Sequence, residues 1–219
     1  MSADGPQTPV RVQINKALIG FLSHCGFSHG GNGFEGIAFL LDRFRDADLS
    51  DPANAAHGLD LKAMAAAFAK SFVAARKSAA EAGKQQPPAL PGINHPVFRG
   101  ERVNYDPRER FYAAVLADQG RYNVFHDYYE ALVESLHAVG ATRTVFCVNV
   151  YAVIAAALLA MLWDDLRSSR IAQADLESAA LNVFLYARMI GAVAEIDDHL
   201  NRGRNMDMRT PQERCSFVV

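Results

Sequence analysis

Residues 144–163 read TVFCVNVYAVIAAALLAMLW, and whether this run belongs in lipid or in protein decides the fold. Roughly twenty apolar residues are enough to cross a bilayer as a helix. Against a span, Asn149 and Tyr151 interrupt the run, Asp164 and Asp165 follow it at once, and no second such run is read from the sequence. The expectation is therefore a helix surrounded by other helices, a central post from about Val148 to Trp163.

Outward from that post the chain reads as further helices. Upstream, RYNVFHDYYEALVESLHAVG (121–140) repeats apolar positions every three to four residues until Gly140 closes it, and RERFYAAVLADQG (108–120) precedes it as a second amphipathic helix. The alanine-rich segment 59–84 favours helix and is stopped by Gly83 and the prolines after it. Near the N-terminus, QINKALIGFLSH (13–24) meets the glycine-rich elbow CGFSHGGNG (25–33). The pattern then resumes in FEGIAFLLDRF (34–44), with Phe34, Ile37, Ala38 and Leu41 on one face and Glu35 in the first turn, where a negative charge suits the helix dipole. Downstream, a helix is expected from about Gln173 to Leu200. No segment keeps a two-residue alternation between turn signals, so the fold class is all-α.

Half of the 219 residues are hydrophobic, 21% are charged and the net charge is −2. These values describe a soluble globular protein and leave no basic block for DNA or RNA. Cys25, Cys147 and Cys215 are too few and too scattered for a disulfide framework. The N-terminus MSADGPQTPV lacks the basic start and apolar run of a signal peptide. A cytoplasmic protein, with neither nucleic acid nor membrane as partner, is expected.

Five places carry candidate chemistry. His95 lies in the turn GINHP, where Pro96 biases it away from helical backbone, and Asp106-Pro107-Arg108 reads as an N-cap followed by a first-turn proline. The plain reading of Arg108 is a solvated side chain. In SHGGNGFE (28–35) a glycine-rich stretch precedes a helix N-terminus, but phosphate loops of that kind follow a strand. His29 is then a capping or core histidine, or a polar group presented at a cleft. A metal site from His24, Cys25 and His29 lacks the second ligand cluster that zinc usually draws on, so no metal is expected. Arg188 sits in LNVFLYARMIGAVA (181–194) among apolar neighbours, where a buried guanidinium needs an acid, carbonyls or an anionic ligand. Arg209, in MDMRTP (206–211), could add a second anion clamp.

Three stretches, SHGGNGFE (28–35), GINHPVFRGERVNYDPRE (92–109) and ALNVFLYARMIGAVAEIDDHLNRGRNMDMRTP (180–211), occur in the order and at roughly the intervals of citrate synthases and the citryl-CoA lyase module of ATP-citrate lyase. The middle stretch resembles that family's histidine turn and Asp-Pro-Arg corner, and the last resembles its carboxylate-binding arginine helix and arginine tail. The resemblance implies a citrate synthase-like helical fold, with 1–11 a loose tail, 12–170 like the small CoA-binding region and 171–219 like the closing helices of the large one. It implies coenzyme A, carried as an acyl-CoA substrate, and a di- or tricarboxylate. By the same resemblance His95 acts on the keto-acid carbonyl or citryl hydroxyl, His29 stabilises the enolate oxygen, and Arg108 and Arg188 grip carboxylates. Arg209 is lent across a dimer interface, and Arg99 or Arg102 contacts CoA phosphates. Guanidinium forks suit carboxylates because they pair bidentately and stay charged.

Two departures qualify the activity. Where the family carries NVD, with the aspartate as base, this chain has VNVYAV (148–153), placing Tyr151 there. A phenol with a pKa of about 10 is a poor base near neutrality. Also, the family's long N-terminal portion has no counterpart ahead of Val12. The resemblance thus implies a C–C bond-making or -breaking subunit, a homodimer or a hetero-oligomer with a chain supplying the missing half. A catalytically silent CoA- or carboxylate-binding relative is the alternative. A third possibility is a CoA enzyme that needs no enolate base, with Tyr151 donating a hydrogen bond.

Overall fold

The computed structural model describes residues 14–23, 25, 32–95 and 104–201. Seven helices are described: α1 (Ile14–Ser23), α2 (Asn32–Phe44), α3 (Leu61–Glu81), α4 (Pro107–Asp118), α5 (Val124–Ala138), α6 (Val150–Arg167) and α7 (Gln173–Asn201). Among the described residues there is no strand; Ile93 and Val148 form an isolated antiparallel bridge. The all-α expectation holds.

The larger of two compact units runs over Gly26–Phe184. The quoted run enters it with a helix that starts close to the expected Val148. Residues 144–149 are not helical, and α6 starts at Val150, where Asn149 turns its side chain back to accept from the Tyr151 amide at 2.9 Å. An N-cap of this kind is worth about 1 kcal/mol. From there Ala152, Val153, Ala155, Ala156, Leu159 and Trp163 are buried. Met161, 77% exposed, shows that α6 is not enclosed on every side. The post therefore has a solvent face.

Small residues let neighbours approach α6. On α2, Gly36 lies where a Cβ would come within 3.0 Å of the Ala155 Cβ, so α2 and α6 pack almost backbone to backbone. The buried face of α2 is Gly33, Gly36, Ile37, Leu40 and Phe44, while Phe34, Ala38 and Leu41 are only half-buried. The expected face is rotated: Gly36 meets α6, and Gly33 approaches Ala180 of α7. Helix α5 contributes nine buried residues, making it as central as α6; it lies between α6 and α3. Ala65 and Ala69 give α3 a smooth face, and Phe39 meets Phe68 edge-on at 5.4 Å. At the far end Phe44, Phe125 and Trp163 form an aromatic chain with centroids 5.0 and 5.2 Å apart, each ring contributing roughly 1.5–3 kcal/mol through burial. The Trp163 indole N–H donates to the Leu49 carbonyl at 3.0 Å, so this large side chain leaves no polar atom unpaired.

The smaller unit comprises the described residues of Met1–Cys25 and Leu185–Val219. In it Ile19, Leu22, Tyr186 and Ile190 are exposed. Among the described residues the stretch long and apolar enough to cross a bilayer is Gln173–Ala194, not 144–163, by length and composition only.

Candidate functional site

The histidine turn is built by two left-handed residues. Gly92 (φ +76°) and Asn94 (φ +67°) reverse the chain on either side of Ile93, a conformation that glycine adopts freely and asparagine tolerates. Gly92 is required for a second reason: a Cβ there would stand 2.7 Å from the Ala152 Cβ and 3.1 Å from its amide nitrogen, in the first turn of α6. So close an approach lets the backbones join. Asn149 N–H donates to the Gly92 carbonyl (2.9 Å), Asn94 N–H to the Cys147 carbonyl (2.8 Å), and the Asn149 side-chain amide to the Asn94 carbonyl (2.9 Å). The His95 backbone lies beside the Cys147 thiol and favours its ionised form, and His95 is half-buried.

The Asp-Pro-Arg corner docks at the same helix end. Asp106 is fully buried, caps α4 through the Arg108 amide (3.0 Å) and accepts the Val150 amide of α6 at 3.2 Å. Its carboxylate thus faces the positive end of α6. Arg108 closes a fork on it, Nε to Oδ1 at 2.9 Å and Nη2 to Oδ2 at 2.6 Å. The N-cap and first-turn proline are as the sequence predicts, but Arg108 is ion-paired rather than simply solvated. Tyr151 follows the cap of α6 and packs its ring on Phe184, centroids 4.9 Å apart. Burial, followed by the Asp106 charge, pushes the Cys147 thiol up to about 11.

Three of the predicted site residues, His95, Arg108 and Tyr151, therefore lie around the N-terminus of α6. His29, Arg99, Arg102 and Arg209 fall outside the described residues. Arg188 belongs to the smaller unit and is exposed, so the expectation that it needs a buried partner fails; α7 turns its side chain outward.

Two cavities adjoin this assembly. One of about 240 Å³ lies behind the histidine turn, walled by Phe72, Arg76, Leu90, Ile93, Asn94, Thr142 and Phe146 among others. The Asn94 Oδ1 and Thr142 Oγ1 among its walls are buried without partners among the described residues. The other, about 390 Å³, is bounded by Asn104, Glu109, Arg110, Glu130, Glu134 and Cys147 among others. Beside it Glu109 and His126, both buried, meet at 3.0 Å. Burial pulls the His126 pKa down, yet the hydrogen bond it donates to Glu109 and the charges of Glu130, Glu109 and Asp127 outweigh it and leave it raised. Glu130 is raised by burial, with His126 opposing. Sequence reading passed over this pair; its one signal was the spacing His126, Glu130, Glu134 along one face of α5.

Among solved structures, citryl-CoA lyase from Hydrogenobacter thermophilus is similar, with a TM-score of 0.54 at 16% sequence identity over 95% of this chain. The fold is citrate synthase-like. The match covers 64% of the lyase chain, and at this identity the likeness concerns the fold alone. No protein-family profile matches the chain, and no curated protein matches it in sequence.

Proposed function

We propose that the chain is a subunit of citrate synthase or citryl-CoA lyase type, making or breaking a carbon–carbon bond between an acyl-CoA and a keto-acid. The observation that carries this reading is the joint docking of the histidine turn and the Asp-Pro-Arg corner on the start of α6, in a citrate synthase-like fold. In this reading the His95 imidazole hydrogen-bonds the oxygen on which charge develops at the keto-acid carbon, as oxyanion donors do. Arg108, oriented by Asp106, serves a carboxylate, and Arg188 and Arg209 are carboxylate-binding arginines as well. His29 serves the enolate oxygen, Arg99 and Arg102 serve CoA phosphates, and the cavity holding Arg76 and the unpaired Asn94 and Thr142 oxygens has room for part of the thioester. Tyr151 lends a hydrogen bond. The proton next to the thioester carbonyl goes to a carboxylate supplied by a partner chain.

The fork between Arg108 and Asp106 favours one other reading, a silent relative that binds CoA thioesters or carboxylates, because the guanidinium is already neutralised. One experiment separates them. The chain isolated with its native partners is given citryl-CoA, or acetyl-CoA with oxaloacetate, and free CoA is followed alongside binding by calorimetry. Turnover that is lost in His95→Ala supports the enzyme, and CoA binding without turnover supports the silent relative. If neither CoA ester nor citrate binds, both readings are wrong.

A further inference from the structure

We propose that Glu109, His126 and Glu130 form a site for one divalent transition-metal ion of the zinc or manganese class, clipping α4 to α5. One ligand atom from each residue lies within 4.8 Å of the others. Two ligands bonded to one ion at 2.0–2.2 Å stand no more than about 4.4 Å apart. The remaining difference is within reach of a side-chain adjustment by Glu130, the exposed member of the three. His126 Nε2 and Glu109 Oε1, 3.0 Å apart, are already near the roughly 3.4 Å that separates two ligands of a tetrahedral ion. His126 and Glu130 stand one helical turn apart on the same face of α5, and Glu109 comes from the first turn of α4.

An independent observation points to an occupant. Asn104, which lines the same 390 Å³ cavity, is 7% exposed, and its Oδ1 has no hydrogen-bond partner among the described residues. A buried acceptor left without a donor is uncommon in folded proteins and marks an ion or a water that completes it. An ion with three protein ligands keeps open positions filled by water, and that water is a donor. Charge agrees: among the described residues Glu109, Glu130 and Glu134 line the cavity against the guanidinium of Arg110. One imidazole with two carboxylates suits zinc, manganese or iron(II), whereas calcium and magnesium prefer all-oxygen sites. On binding, the ion takes the place of the proton between His126 and Glu109; the imidazole donates its lone pair and the proton leaves to solvent. Because Glu109 directly follows Arg108, the ion would hold the first turn of α4. None of this depends on the proposed CoA chemistry.

The test uses the full, untagged chain, stripped with EDTA and shown by circular dichroism to remain helical. It is titrated with zinc, manganese and magnesium chlorides by calorimetry, and metal content is measured after dialysis. One equivalent of zinc or manganese is expected, with magnesium much weaker. Glu130→Ala, at an exposed position, should weaken binding more than about 100-fold, beyond the roughly 10–100-fold typical of losing an outer-shell partner. A control at an acid distant in the chain, Glu177→Ala, should not. His126→Gln should abolish the visible absorption of the cobalt(II)-loaded protein. Substoichiometric binding, equal affinity in Glu130→Ala and wild type, or magnesium binding as tightly as zinc would overturn the proposal.

Discussion

Gly92→Ala tests how the site is put together. An L-residue at φ +76° costs about 1–2 kcal/mol. The added Cβ would also meet the Ala152 Cβ at 2.7 Å and its Cα at 3.0 Å, atoms of a helix turn that cannot swing aside, for a further 1–3 kcal/mol or so. The sum is roughly 2–5 kcal/mol, or a fall in Tm of about 4–20 °C for a chain of this size. Gly120→Ala is the control: its φ is +58° with nothing within 4 Å, so only the conformational cost of about 1–2 kcal/mol applies. Thermal and urea unfolding measure the difference. A second readout locates it. Cys147 is 2% exposed and lies under the histidine turn, so lifting the turn should speed its alkylation in a Cys25→Ser, Cys215→Ser background, while Gly120→Ala leaves the rate alone. If both variants lose the same stability and Cys147 stays protected in each, the close docking of the turn on α6 is not what the glycine provides.

Other expectations follow from single buried groups. Asn123 caps α5 through the Phe125 and His126 amides and donates to Tyr112 and to the Ala156 carbonyl; Asn123→Ala should cost about 2–4 kcal/mol, with Asn123→Ser regaining the cap and about half the loss in urea titrations. Asp106→Ala leaves Arg108 and the Val150 amide without their acceptor. Because Arg108 is 31% exposed, the expected loss is about 2–3 kcal/mol, below the 3–5 of a fully buried broken pair, and Asp106→Asn should lose less by keeping the cap. The Cys147 thiol, raised by burial to about 11, contributes stability that is complete below its unfolded value of about 8.5 and lost as the pH climbs toward 11. The Tm of Cys147→Ala should therefore decline less than that of wild type across that window.

Helices were legible wherever periodicity and punctuation agreed. The segment ending at Gly140 and the alanine-rich helix before Gly83 both appear near their expected bounds, since each carries its own stop signal. Asp106 as a cap with Pro107 after it was legible because capping is local. The start of α6 was legible to within two residues, but what fixes it was not: the bonds that tie 145–149 to Gly92, Ile93, Asn94 and Asn104 come from residues distant in sequence. For the same reason Asp106 could be read as a cap but not as the acceptor of the Val150 amide. The fork on Arg108 was hidden although the partners are two residues apart, because whether an arginine is solvated or folded back depends on burial of the acid. Glu109 and His126 looked like surface residues of amphipathic helices; tertiary packing puts them inside.

The order in which contacts form follows from the span of the bonds around α6. Asn149 reaches Asn94 across 55 residues and Val150 reaches Asp106 across 44, whereas each helix closes within itself. Non-local pairings come at the cost of loop closure before any contact rewards them. A ribosome must have released both the histidine turn and the first turn of α6 before the two can meet. Weakening that junction should then quicken unfolding more than it slows folding, so its worth to the protein is measured in native lifetime.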